Sequence, residues 1–174
     1  MLGSMGFLAN SALAIGATGV GSLTYGLVEA QAFKVRELDL ALLPAGSESI
    51  RVLHISDLHI TPAQTRKINW VKSLAKLEPD FVVGTGDFLA HQLAVPAVVE
   101  AMNELMDMPG AFVLGSNDYF APTIKNPLSY FNTAREIRAE GVALPTSDLV
   151  HELTDAGWLD LNNKQSVTEI NGVK

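Results

Sequence analysis

Apolar runs alternate with amphipathic stretches through the middle of the chain. Residues 50–55, 81–85 and 111–114 are short runs rich in Val, Ile, Leu and Phe, the length and composition of buried strands. Between them, Ile68, Val71, Leu74, Ala75 and Leu77 recur at helical spacing, as do Val98, Val99, Met102, Leu105 and Met106. Thr61-Pro62 gives the first helix an N-cap followed by proline, and Pro79 stops it. Pro96 opens the second, and Pro109-Gly110 ends it. The order is strand, helix, strand, helix, strand with short connections, which predicts right-handed crossovers and a parallel sheet.

The flanks are read the same way. Residues 35–43 alternate, with Val35, Leu38, Leu40 and Leu42 apolar, and predict a half-buried strand. Pro44-Ala45-Gly46-Ser47 is a turn, so this strand and the one from Ile50 form a hairpin feeding the sheet edge. Residues 121–144 are punctuated by Pro122 and Pro127, with a helix expected over 130–140. A helix over 147–156 ends at Gly157 as its C-terminal cap. Short strands are expected at 159–161 and 166–170, and Asn171-Gly172 signals a type I′ hairpin turn. No return strand follows that turn, so the chain reads as a fragment of a longer protein.

Residues 1–28 carry no charge. A helix of about 20 such residues spans a bilayer, and a single membrane anchor is expected here. A cleaved signal peptide is the alternative: Ala30-Gln31-Ala32 fits a cleavage pattern, but no Lys or Arg precedes the apolar run. A buried core helix is the third. Residues 29–174 then form one globular domain.

The net charge of −7 and the lack of a basic stripe argue against nucleic acid as a partner. With no cysteine, any metal ligands come from Asp, Glu, His and Asn.

Candidate chemistry sits at the ends of the predicted strands. Asp57 and His59 follow the first, two positions apart, so in extended chain they point to one side. Carboxylate oxygen beside imidazole nitrogen suits a first-row divalent metal. The second strand ends in Gly86-Asp87 and the third in Gly115-Ser116-Asn117-Asp118. Asp57, Asp87 and Asn117 are 30 positions apart in turn, roughly one βαβ unit. Open α/β sheets bind ligands at this carboxyl edge. Gly86 is either a position where the ligand loop needs no Cβ or an ordinary turn. The first strand–helix turn lacks a Gly-x-Gly-x-x-Gly cluster, which speaks against a dinucleotide-binding domain.

Asp57-x-His59, Gly86-Asp87 and Gly115-Ser116-Asn117-Asp118, in that order and spacing, resemble the calcineurin-like metallophosphoesterases over residues 50–118. The anchor–hairpin–domain layout is similar to the membrane-anchored bacterial branch of that family. The resemblance implies an α/β fold, the N-terminal part of an αββα sandwich preceded by an apolar N-terminal helix. It implies two divalent ions (Mn, Fe, Zn or Co), with Asp57 and His59 on the first, Asp87 bridging and Asn117 on the second. Asp118 stands where the family has a leaving-group histidine, and is the expected catalytic residue in its place. The family's later Gly-His-x-His motif does not follow Asp118. The implied function is metal-dependent phosphoester hydrolysis at a membrane, with a lipid-linked or nucleotide-sugar phosphoester as substrate. A catalytically inactive, membrane-tethered binding domain is the alternative. His91, just beyond the second ligand loop, is a candidate phosphate contact, as are Lys125 and Asn126. His54 is expected in the core or behind the ligands, and His151 at the surface. Tyr119 and Phe120 either wall the substrate or pack in the core or a loop.

Overall fold

The computed structural model describes residues 2–122 and 141–173, with side chains from residue 16 onward. The chain divides into two compact units, residues 1–40 and 41–174. The helix expected over 130–140, and Lys125 and Asn126, lie outside the described residues.

In the first unit, α1 runs Leu2–Glu29. Among the described residues, no helix is long and apolar enough to cross a membrane. The spanning anchor expected over residues 1–28 has no support among the described residues, whose side chains begin at residue 16. Thr24 turns its hydroxyl back to the Val20 carbonyl, 2.8 Å away. The strand expected over 35–43 is absent, and the hairpin with it. Leu38, Leu40 and Leu42 are 79%, 62% and 79% exposed. Alternation gives a segment a face to bury, but a strand also needs a hydrogen-bonding edge, and residues 35–43 pair with none.

The second unit is built on four parallel strands, β1 (Val52–Ile55), β2 (Phe81–Thr85), β3 (Gly110–Val113) and β4 (Leu159–Asp160), in that spatial order. The connections are α2 (Thr65–Ser73, extended by a 3-10 turn Leu74–Leu77), α3 (Val95–Met106), the short α4 (Ser116–Tyr119) and α5 (Thr146–Asp155). The first three strands are parallel, as predicted. α2 starts later than Thr61-Pro62 implied. Those residues form a turn in which Gln64 Oε1 accepts the Thr61 N–H at 3.2 Å, and the helix begins after it. Pro96 stands in the first turn of α3 as expected, and Gly157 follows α5 with φ +89°.

Ile60, Val71, Val82, Phe88, Leu89, Val98, Met102, Leu105 and Phe112 are all within 1% of full burial, each contributing about 1.5–3 kcal/mol. Two glycines let large rings reach the sheet. A Cβ at Gly84 would meet the Phe88 ring, and one at Gly110 would lie 2.7 Å from the Trp158 indole nitrogen. That nitrogen donates to the Met108 carbonyl at 3.1 Å.

Only part of the expected αββα sandwich is seen: the described residues hold one sheet. The Asn171-Gly172 turn forms, with φ +50° and +78° and reciprocal Ile170–Val173 bonds of 2.8 and 2.9 Å. Residues 166–169 beside it are not in a strand.

Candidate metal centre

The three loops carrying the candidate ligands leave the same edge of the sheet, and backbone hydrogen bonds lace the first two together. The Asp57 N–H donates to the Gly86 carbonyl (3.1 Å), His59 N–H to the Asp87 carbonyl (2.8 Å) and Ile60 N–H to the Phe88 carbonyl (2.8 Å). The pairing of β1 with β2 therefore continues past the strand ends. Within it, Ile55, Leu58 and Ile60 point into the core, while Asp57 is exposed and His59 half-buried. Phe88 and Leu89, wholly buried, do the same behind Asp87. Apolar side chains thus fix the backbone on both sides of Asp57 and His59 and on the C-terminal side of Asp87.

Asp57, His59 and Asp87 each offer a ligand atom, all within 4.8 Å of one another. His59 Nε2 lies 3.6 Å from Asp87 Oδ2 and 4.0 Å from Asp57 Oδ1. Asn117 adds its amide: Nδ2 donates to Asp87 Oδ2 at 2.8 Å and its backbone N–H to Oδ1 at 2.9 Å. Asp87 is the hub of the set. Two oxygens and a nitrogen around one point fit a divalent cation with positions left open, the pattern of catalytic rather than structural sites.

The backbone carries a second sign of function. Asp57, His59 and Asp87 all have left-handed backbones, with φ of +55°, +43° and +56°. This conformation is uncommon for residues other than glycine, and such costs concentrate at functional sites. An Asp57→Ala variant, unfolded with urea in chelator, is expected to be about 1 kcal/mol less stable than Asp57→Gly. The left-handed penalty of a Cβ exceeds the extra chain entropy of glycine. Equal stabilities would remove backbone strain from the picture.

Glycine permits the close approach of the second and third loops. Gly86 has φ +88°, and a Cβ there would overlap the backbone of Gly115 and Leu114. A Cβ at Gly115 would overlap the Asp87 carboxylate.

Asp118 does not face the cluster's open side. It is fully buried, and its carboxylate accepts the N–H groups of Asp87 (2.8 Å), Gly115 (2.9 Å) and Leu89 (3.0 Å). Burial pushes its carboxyl above the usual range, against the opposing pull of the bonds from Gly115, Leu89 and Asp87. The Gly115 bond is half of a capping box, an acidic residue at the third helical position reaching back to the cap. That spacing was the signal that could have revealed its place.

The other histidines stand apart from the triad. His54 is exposed rather than in the core, with Nε2 2.7 Å from the Thr85 hydroxyl. His91 is exposed, and its Nδ1 accepts the Leu93 N–H at 3.1 Å. His151 is at the surface, paired with Asp155 at 2.9 Å. Tyr119 and Phe120 are exposed, which removes the core reading for both. Two supporting groups went unread in the sequence. Ser56 donates to the Asp57 carboxylate. Lys67 of α2 reaches back to the Leu58 carbonyl, between Asp57 and His59, at 2.7 Å, and partial burial lowers its pKa.

A parallel α/β sheet gathering hard donors at its carboxyl edge defines a class of metal-dependent domains. Sequence comparison makes the class specific. The family model for calcineurin-like phosphoesterase matches residues 50–173, and the chain belongs to that family. A bovine (Bos taurus) transmembrane protein with metallophosphoesterase domain is 30% identical over 94 residues, 52% of this chain and 21% of that protein. The chain therefore spans about a fifth of that relative's length. No solved structure matches. Divalent metals are typical of the family, and the triad supplies a place for one.

Proposed function

We propose that this domain hydrolyses phosphoester bonds with a dinuclear metal centre. Asp57 and His59 hold one cation, Asp87 is shared and Asn117 serves the second. The observation that carries the reading is the meeting of Asp57, His59 and Asp87 within 4.8 Å, with Asn117 bonded to the shared carboxylate. Bound cations supply positive charge to the phosphoryl oxygens. This chain's residues set where they sit, and the interlaced loops hold the donors in place before substrate arrives.

The proposed substrate is a phosphoester presented near a membrane, lipid-linked or carried by a nucleotide-sugar. The absence of charge through residue 28 and the bovine relative's description as a transmembrane protein support that placement. Attachment through α1 is part of this proposal; among the described residues no helix is long and apolar enough to cross a membrane.

A non-catalytic domain is the second reading, favoured by Asp118 facing away from the cluster. The two are separated by adding Mn²⁺ to chelator-treated protein while following hydrolysis of an aryl phosphate and an aryl phosphodiester. Metal-dependent turnover that disappears on re-chelation is expected. Tight metal binding without turnover of either compound would favour the non-catalytic domain.

A further inference from the structure

We infer that Asp118 is a positioning residue for metal binding: its buried carboxylate clamps the loop carrying Asp87 to the loop carrying Asn117. The inference rests on the metal reading above and adds a role that the ligand set does not contain. Asp118 Oδ2 accepts from Asp87 N–H at 2.8 Å and from Gly115 N–H at 2.9 Å, so one oxygen ties both loops. Oδ1 accepts from Leu89 N–H at 3.0 Å. On the far side of the same backbone, Asp87 takes both donors of Asn117. Each loop is thus held twice, once through Asp118 behind the site and once through Asp87 within it.

The clamp explains two other features. The loops lie too close for a Cβ at either Gly86 or Gly115, an approach that places the N–H groups of Asp87 and Gly115 together. Their positive ends need an acceptor away from water, and a carboxylate satisfies several at once. Asp87 is also held at φ +56°, a conformation that persists only where its surroundings fix it. The bond from its own N–H to Asp118 is such a constraint.

Asp118→Asn tests this directly. The amide presents an NH₂ in place of one oxygen. In either orientation at least one backbone N–H of Asp87, Gly115 or Leu89 then faces a donor. Partners of this kind behind metal ligands are worth about 10- to 100-fold in affinity, and a loss of Mn²⁺ affinity of that size is expected by titration calorimetry. The Mn²⁺ electron paramagnetic resonance signal of the loaded variant should broaden as the site loses a single geometry. Leu105→Ala is the control. It removes a fully buried side chain of α3 outside the cluster, and should lower the melting temperature while keeping wild-type Mn²⁺ affinity.

Wild-type affinity in folded Asp118→Asn would overturn the inference, as would an equal loss in Leu105→Ala. Failure of the unsubstituted chain to bind Mn²⁺ would instead sink the metal reading itself. Should Asp118→Asn not fold, hydrogen exchange on the unsubstituted, metal-free chain decides. The amides of Asp87, Leu89 and Gly115 should exchange as slowly as those of β2 and β3. Exchange as fast as in exposed loops would overturn the clamp.

Discussion

Asp87→Asn is expected to lower divalent-metal affinity by more than about 100-fold, since residues merely behind a ligand already account for about 10- to 100-fold. Metal-dependent hydrolysis should fall with it to the uncatalysed level. The substitution is a clean one. Asparagine tolerates a left-handed backbone nearly as well as aspartate, so the φ of +56° at this position can be kept. What changes is the hub. The carboxylate that lies 3.6 Å from His59 Nε2 and accepts both donors of Asn117 loses its charge and one acceptor. An NH₂ must then stand either at the Oδ2 position, facing the imidazole and the Asn117 side-chain amide, or at the Oδ1 position, facing the Asn117 backbone N–H, so the cost reaches Asn117 in either orientation. Calorimetric Mn²⁺ titration beside initial rates on an aryl phosphodiester measures both effects. Undiminished affinity in the variant would remove Asp87 from the centre.

Gly86→Ala is expected to destabilise the metal-free domain by about 3 kcal/mol or more, combining overpacking of about 1–3 kcal/mol with a left-handed penalty of about 1–2. The magnitude follows from what the new methyl group meets. Its neighbours are the Gly115 Cα and the Leu114 carbonyl carbon, both 2.8 Å away. These are backbone atoms, so no side-chain rotation can make room. Gly86 also carries φ +88°. Relief requires the second and third loops to move apart, which pulls Asp87 away from Asn117. Urea unfolding in chelator gives the stability change, and metal titration of the folded fraction gives the loss of affinity. A stability loss under about 1 kcal/mol would show that the loops are not pressed together in this way.

The sheet and the gathering of the candidate site residues were legible because both depend on local pattern. Apolar runs bounded by Pro and Gly place β1, β2 and β3, and repetition of a polar cluster after each run places Asp57, His59, Asp87 and Asn117 at one edge. What escaped the sequence depends on the partners a segment finds. Residues 35–43 alternate as a strand should, yet form none, because alternation says nothing about a free edge to pair with. His54 sits in an apolar run, but its face of β1 is open. Asp118 was read from its place in a motif as a group facing substrate. Its actual surroundings, three backbone N–H groups from two loops, come together only in the folded chain. The left-handed backbones of Asp57, His59 and Asp87 had only a weak sequence signal: Asp and His adopt that conformation more often than most residues other than glycine, but seldom enough that residue type alone does not mark it.

Anomalous diffraction at the manganese edge, from crystals grown with Mn²⁺, tests the central claim most directly. A peak within coordinating distance of a carboxylate oxygen of Asp57, His59 Nε2 and a carboxylate oxygen of Asp87 is expected, with a second peak between Asp87 and the Asn117 amide oxygen. Crystals that bind Mn²⁺ only elsewhere, or leave Asp87 in contact with no ion, would contradict it.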